Sequence, residues 1–405
     1  MKNKIVAYIF IMISLMIMIV FIVLIYNDGY IFWGNTRIKY DITGQIGDFI
    51  GGIIGTLISA AAFWFLYLTL NEQRDSFYKE RLESRLFELI KLHRDNVAEL
   101  KFDGNKLYQD NDSLFIERRM YEGKAVFRVI FNQFVMCRNE LKPFFQRKDD
   151  IYDPNYRKEI SKIPYVIDNK IDIYTLAQID ICYNIVFYGV GNEGVIILKQ
   201  LFKGKYNEKF ICDMLNFITL KPAYDCAKFK KWKYIANRSS LEKRMELVNK
   251  IYEWRKKDNK KALKHYDEMV KFDNKHVKYY GGHQFRLGHY FRNAFQIIKY
   301  VNEQTKIDYR IKYDYMKIFR AQLSNYEQAV LFFNSLSQKG RTWEILPDIN
   351  KDLKQYAKHD FELITKYNLI KNVPEEKLYG IYFKKFYPEV EYENEREKKH
   401  RKSYK

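Results

Sequence analysis

Four side chains capable of acid–base work or anion binding recur at every third residue near the centre of the C-terminal half: His283, Arg286, His289 and Arg292. At that spacing on a helix neighbouring members touch, and Arg286, His289 and Asn293 share a face. Two imidazoles and two guanidiniums can hold a phosphate or move protons; they can equally form a buried network that fixes helix packing. A second polar set, Arg320, Ser324, Asn325 and Glu327, is embedded among Ala321, Leu323, Ala329, Val330 and Phe333. Arg320, Ser324 and Glu327 fall on one helical face. An unsatisfied buried polar group costs roughly 1–3 kcal/mol, so this set needs partners. His289 or Arg286 is the expected neighbour, with Glu327 the natural partner for the arginine. The third candidate is the run 188–194, with Gly189, Gly191 and Gly194. No Lys-Ser or Lys-Thr follows it, so it is not a phosphate-binding loop of the P-loop kind. It reads as a tight turn between helices, with Glu193 free to pair with an arginine.

Other chemistry is missing from the sequence. There is no GxSxG, no HExxH, no paired CxxC and no calcium loop. The seven histidines are scattered, and the four cysteines lie far apart, as reduced intracellular thiols would. No metal and no cofactor is expected. The Arg-x4–6-His pattern of many nuclease-like toxins is also absent, because only two residues separate Arg286 from His289.

The elements that must position these residues begin with two apolar stretches. Residues 5–26 contain no charged side chain, and residues 46–70 contain only Asp48. About 20 helical residues match the hydrocarbon thickness of a bilayer, so both stretches are long enough to span it. The first is too long for a signal-peptide core and lacks a small-residue cleavage site, so a retained anchor is expected. Lys2 and Lys4 precede the first stretch, Arg74, Lys79, Arg81 and Arg85 follow the second, and only Arg37 and Lys39 lie between. That distribution places both ends and the main domain in the cytoplasm. The second stretch carries Gly47, Gly51, Gly55 and Ser59, a small residue every fourth position, where another helix can approach closely.

With 7 Pro and 18 Gly, and apolar residues spaced by three and four, the chain reads as all-α. The expected organisation is a transmembrane hairpin (1–70), a juxtamembrane helix running on from the second span (71–102), and a helical cytosolic bundle (103–347). A helical and loop extension with a basic tail (348–405) completes it. A loop is expected near 103–113, a surface excursion at 146–169, and continuous helical patterning over 309–336. The formal charge is +20, and 18 Lys or Arg against 8 Asp or Glu fall within 221–278. This stretch is a solvated surface, or a face for anionic lipid or nucleic acid.

Several segments together resemble a phage abortive-infection family, the AbiC-like membrane proteins. They are 46–52 with Gly47, Gly51 and Gly52; 70–73; 88–93; 188–194; 282–292; and 320–327. The resemblance implies a protein of the bacterial cell membrane that a phage-derived trigger activates, and that stops the host before phage release. It names no reaction. Three mechanisms remain open at this point: a homo-oligomeric effector whose spans disrupt the lipid bilayer, a membrane-tethered nuclease or other enzyme using His283, Arg286, His289 and Arg292, and a non-catalytic signalling scaffold.

Overall fold

The computed structural model describes residues 2–27, 40–110, 113–226, 228–238, 240–256, 278–344, 362–373 and 378–393. The chain divides into two compact units, Met1–Phe87 and Glu88–Lys405. The 28–39 linker, residues 257–277 of the basic stretch and the tail after 393 lie outside the described residues.

In the first unit, α1 spans Lys2–Asn27 and α2 spans Tyr40–Phe49; a wide π turn, Ile50–Ile54, leads into α3, Gly55–Ala98. Two helices are long and apolar enough to cross a membrane, Ile5–Asn27 and Thr43–Ala98. The ring of Phe21 stacks on Phe49 at 3.8 Å and Tyr8 meets Phe65 edge-on at 5.7 Å, so the two run antiparallel. Ala7, Ser14, Ile54 and Ala61 are buried, whereas Met12, Met16, Ile19 and Phe63 are each at least 60% exposed. Hydroxyls turn back onto their own helices: Ser14 donates to Phe10 O, and Thr56 to Gly52 O and Ile53 O. Each hydroxyl donor is thereby satisfied within its own helix. The π turn closes with Gly55 N–H donating to Ile50 O, one residue wider than an α-helical bond. A Cβ built on Gly47 or Gly51 would meet nothing within 4 Å, so α1 does not fill the glycine stripe.

In the second unit, the end of α3 leads into an antiparallel hairpin, β1 (Lys101–Asp110) and β2 (Ser113–Glu122), with Lys101 opposite Glu122 and Gly104 opposite Arg119. The described residues are mostly helical, as expected, but the hairpin is an exception to the all-α expectation and replaces the loop expected at 103–113. The strands are held by their backbone ladder and by the Arg118–Asp103 and Lys101–Glu122 ion pairs, not by a clean apolar alternation.

The bundle is organised around α7 (Ile173–Tyr188), buried on every side from Leu176 onward, as a central helix must be. Packed against it are α4 (Ala125–Phe145), α8 (Asn192–Phe202) and α14 (Asn325–Leu336). Phe134 of α4 stacks on Phe333 of α14 at 3.6 Å. The region 146–169 holds two short helices, α5 (Pro154–Ile160) and α6 (Pro164–Asp168), each opened by its proline. Next come α9 (Glu208–Thr219), α10 (Phe229–Ala236), α11 (Leu241–Lys256), α12 (Gln284–Asn302) and α13 (Tyr309–Gln322). Asp153, Asp172, Asn207 and Asp308 cap their helices by accepting from the first-turn N–H groups.

The pattern over 309–336 is not one helix. Leu323 and Ser324 are extended, and Ser324 opens α14 in a capping box with Glu327. The short α15 (Leu363–Lys366) and the residues around it return to the same core, burying Ile364, Tyr367, Ile370 and Tyr387.

Lys221 opens the basic stretch yet is itself buried. Its ammonium lies 2.6 Å from Glu140 and 3.6 Å from the centre of the Tyr279 ring, and Tyr280 Oη donates to the same carboxylate at 2.7 Å.

Candidate functional site

The start of α12 is fixed by a crossing of two glycine segments. Val190 N–H donates to Tyr280 O at 2.9 Å, and His283 N–H donates to Phe187 O at 2.8 Å. Gly189 and Gly282 have φ of 76° and 91°, a region that side chains disfavour. A Cβ on Gly282 would lie 2.7 Å from Tyr188 O, and one on Gly189 2.6 Å from Gly281 C. The glycines therefore serve backbone contact between the two segments. Glu193 sits exposed in the first turn of α8.

From that anchor the four spaced residues of α12 diverge. His283 turns inward, with Nε2 donating to Gln133 Oε1 at 2.8 Å and its ring 5.2 Å from Phe102. Its Nδ1 is buried without a partner; burial, then the Arg286 charge, pushes its pKa down to about 3. Arg286 Nε donates to Lys101 O at 2.8 Å, tying α12 to the hairpin, and its guanidinium lies over Phe285. His289 and Arg292 instead line an open cleft. Asn293 keeps a buried amide nitrogen with no partner.

The second polar set meets α12 through a residue outside the candidate series. Tyr290 Oη donates to Glu327 Oε1 at 3.3 Å, while Glu327 Oε2 accepts from Ser324 N–H at 2.7 Å. Glu327 therefore pairs with the cap and a tyrosine, not with Arg286. Burial pushes its carboxyl up, opposed by these hydrogen bonds. Arg320 ends α13 by donating to Tyr367 O and Asn368 O, both at 3.1 Å. Asn325 is exposed at the start of α14.

Beside Tyr290 lies His93, whose role the sequence reading did not single out. It is 2% exposed, its ring is 4.8 Å from Tyr290 and 5.3 Å from Phe319, and neither ring nitrogen has a partner. Burial, then the charge of Lys124, pushes its pKa down to about 4. A signal was present: Leu82, Leu86, Ile90 and Val97 form the buried stripe of α3, and His93 is the polar member of it.

The cleft is about 580 Å³ and is walled by Phe187, Phe285, His289, Arg292, Phe295, Lys339 and Trp343, among others; among the described residues none of its lining is Asp or Glu. Its rear wall is fixed. Trp343 Nε1 donates to Asn334 Oδ1 at 3.1 Å, Asn334 Nδ2 donates to Tyr183 Oη at 2.8 Å, and Phe295 meets Trp343 edge-on at 5.1 Å. Lys339 lies over the Tyr188 ring at 4.6 Å, and burial lowers its pKa. A second cleft, of about 520 Å³, lies at Tyr152, Arg157 and Lys162. There Arg157 is already engaged by Tyr174 Oη at 2.6 Å and Asp149 at 3.5 Å. Among the described residues no three His, Cys, Asp or Glu converge to hold a metal.

Residues 282–378 match the family model described as putative phage abortive infection protein. This stretch holds α12, α13, α14 and every wall of the first cleft named above except Phe187. The apolar helices, His93 and the 188–194 turn lie outside it. No curated protein and no solved structure matches the chain. The match supports a role in phage defence.

Proposed function

We propose that this chain is a membrane-anchored effector of abortive infection: the helical unit senses infection, and the apolar helices of several copies then breach the bilayer. The observation carrying the reading is the surface of the first unit. Its large apolar side chains face outward along both helices while the hydroxyls of Ser14, Thr56 and Thr69 are satisfied within their helices, an arrangement suited to lipid. The flanking basic residues favour both ends in the cytoplasm of a bacterial cell. Two spans enclose no pore, so the mechanism calls for a homo-oligomer. The uncovered stripe of Gly47 and Gly51 offers a contact between copies. The exposed Lys230 and Lys233 of α10 suit anionic headgroups at the same membrane.

The test is membrane potential, followed with a voltage-sensitive dye during phage infection. Depolarisation before lysis, lost in Gly51→Leu at equal expression, supports the reading. Protection with an intact potential rejects it. A tethered enzyme is the second reading, favoured by His289 and Arg292 lining one cleft. Its signature is nucleic-acid cleavage in infected cells that disappears in His289→Ala.

A further inference from the structure

We infer that the cleft between α12 and the 339–343 turn binds a nucleotide, with its base against the aromatic wall and its phosphate held by His289, Arg292 and Lys339. Three observations converge on that ligand class.

The first is charge. Among the described residues His289, Arg292 and Lys339 line the cleft and no carboxylate does, which favours anions there. The second is availability. Three cations near the cleft's own helix or its neighbours are committed within the protein: Lys221 to Glu140, Arg286 to Lys101 O, and Arg320 to Tyr367 O and Asn368 O. Arg292 and His289 make no hydrogen bond or ion pair with any described residue, so their donors are free for a ligand. Partial burial lowers the Lys339 pKa, and an anion beside it would oppose that shift.

The third is shape. A volume of about 580 Å³ lies within the usual range for small-ligand sites, and aromatic walls offer faces on which a base can stack. Trp343 is held in place by Asn334, while the Phe285 ring remains 67% exposed. A simple phosphate site needs no such walls, and a purely apolar ligand needs no such cations. Gln284 and Thr342, also on the lining, supply hydrogen-bonding groups for the base or sugar.

Binding stands on the cleft alone; its role as the infection signal rests on the effector reading. Calorimetric titration of the full-length chain in detergent separates the two. The titrants are adenosine and guanosine 5′-monophosphate, with the nucleosides and inorganic phosphate run separately. At least one nucleotide should bind more tightly than its nucleoside and more tightly than phosphate. Arg292→Gln and Lys339→Gln should each weaken it roughly tenfold, the effect of losing one charge-assisted contact. Both side chains are exposed, so an unchanged circular dichroism spectrum checks that folding is retained. No saturable binding of either nucleotide, or binding indifferent to both substitutions, overturns the inference and leaves the effector reading standing. Phosphate binding as tightly as nucleotide overturns the assignment of the aromatic wall. Nucleotide binding without depolarisation in cells supports the cleft and removes its link to the effector.

Discussion

Gly189 and Gly282 cross backbone to backbone, each at positive φ, and the space a side chain would need at either is filled by the other's segment. This crossing joins the end of the central helix to the start of α12. It sets where the His283, Arg286, His289 and Arg292 series begins and hence which way each member points.

Gly282→Ala should therefore destabilise the helical unit by about 2 kcal/mol or more, through left-handed strain and the clash with Tyr188 O. Gly288→Ala, in the middle of α12 with nothing within 4 Å of its Cβ, should instead stabilise by about 0.5–1 kcal/mol. Thermal unfolding of the two variants beside the parent chain checks the pair; an equal effect of both would reject the crossing.

His93 sits neutral among rings with both nitrogens unpaired, so His93→Phe should raise stability by about 1–2 kcal/mol at pH 7. His283→Phe should lower stability, because it strands the Gln133 amide. Denaturant unfolding of both distinguishes a site that tolerates a ring without nitrogens from one that does not.

The same histidines set the acid side of the pH profile. Their folded pKa values, about 4 for His93 and about 3 for His283, lie below the unfolded 6.5. Over that interval the unfolded chain binds more protons, so their contribution is complete above pH 6.5 and declines on acidification, by up to about 1.4 kcal/mol per pH unit each. Glu344 has the opposite sign. Burial pushes it up to about 8, so its contribution is present below pH 4.5 and is lost as pH rises toward 8. His93→Phe should flatten the acid limb and Glu344→Gln the alkaline limb, read as unfolding midpoints across pH 4.5–8.5. Unchanged limbs would count against both assignments.

Lys221 and Glu140 are withdrawn from water together. Burial pushes the carboxyl up and the ammonium down, and their mutual attraction opposes both shifts. Lys221→Met should cost about 3 kcal/mol or more, since it leaves Glu140 with only the Tyr280 hydroxyl. Adding Glu140→Gln should recover part of that loss. A double-mutant cycle with additive effects would exclude the coupling.

The sequence made some of this legible. The two apolar helices follow from length and composition and the 188–194 turn from its glycines, whereas the single helical face expected for Arg320, Ser324 and Glu327 gives way to an extended Leu323–Ser324 pair and a capping box. The hairpin was hidden because its strand pairing depends on the backbone ladder, which side-chain periodicity does not encode. The divergence of His283 from His289 was hidden as well. It depends on Gln133 and Lys101 on one side and Trp343 on the other, far away in sequence. Lys221 looked like one positive charge among 18, with nothing local to mark it as buried.

Tyr387 accepts or donates its hydroxyl to Ser335 of α14 at 2.6 Å, and Phe386 meets the Phe332 ring at 5.7 Å. The chain thus closes its core with residues made some 50 positions after the helix they cover. On the ribosome the apolar pair is synthesised first, while α14 still lacks its cover until the 378–393 segment has emerged. Assembly of the helical unit is therefore a late event in the life of each nascent copy. Interruption of translation inside that last stretch would release chains that carry the apolar helices without a finished partner domain.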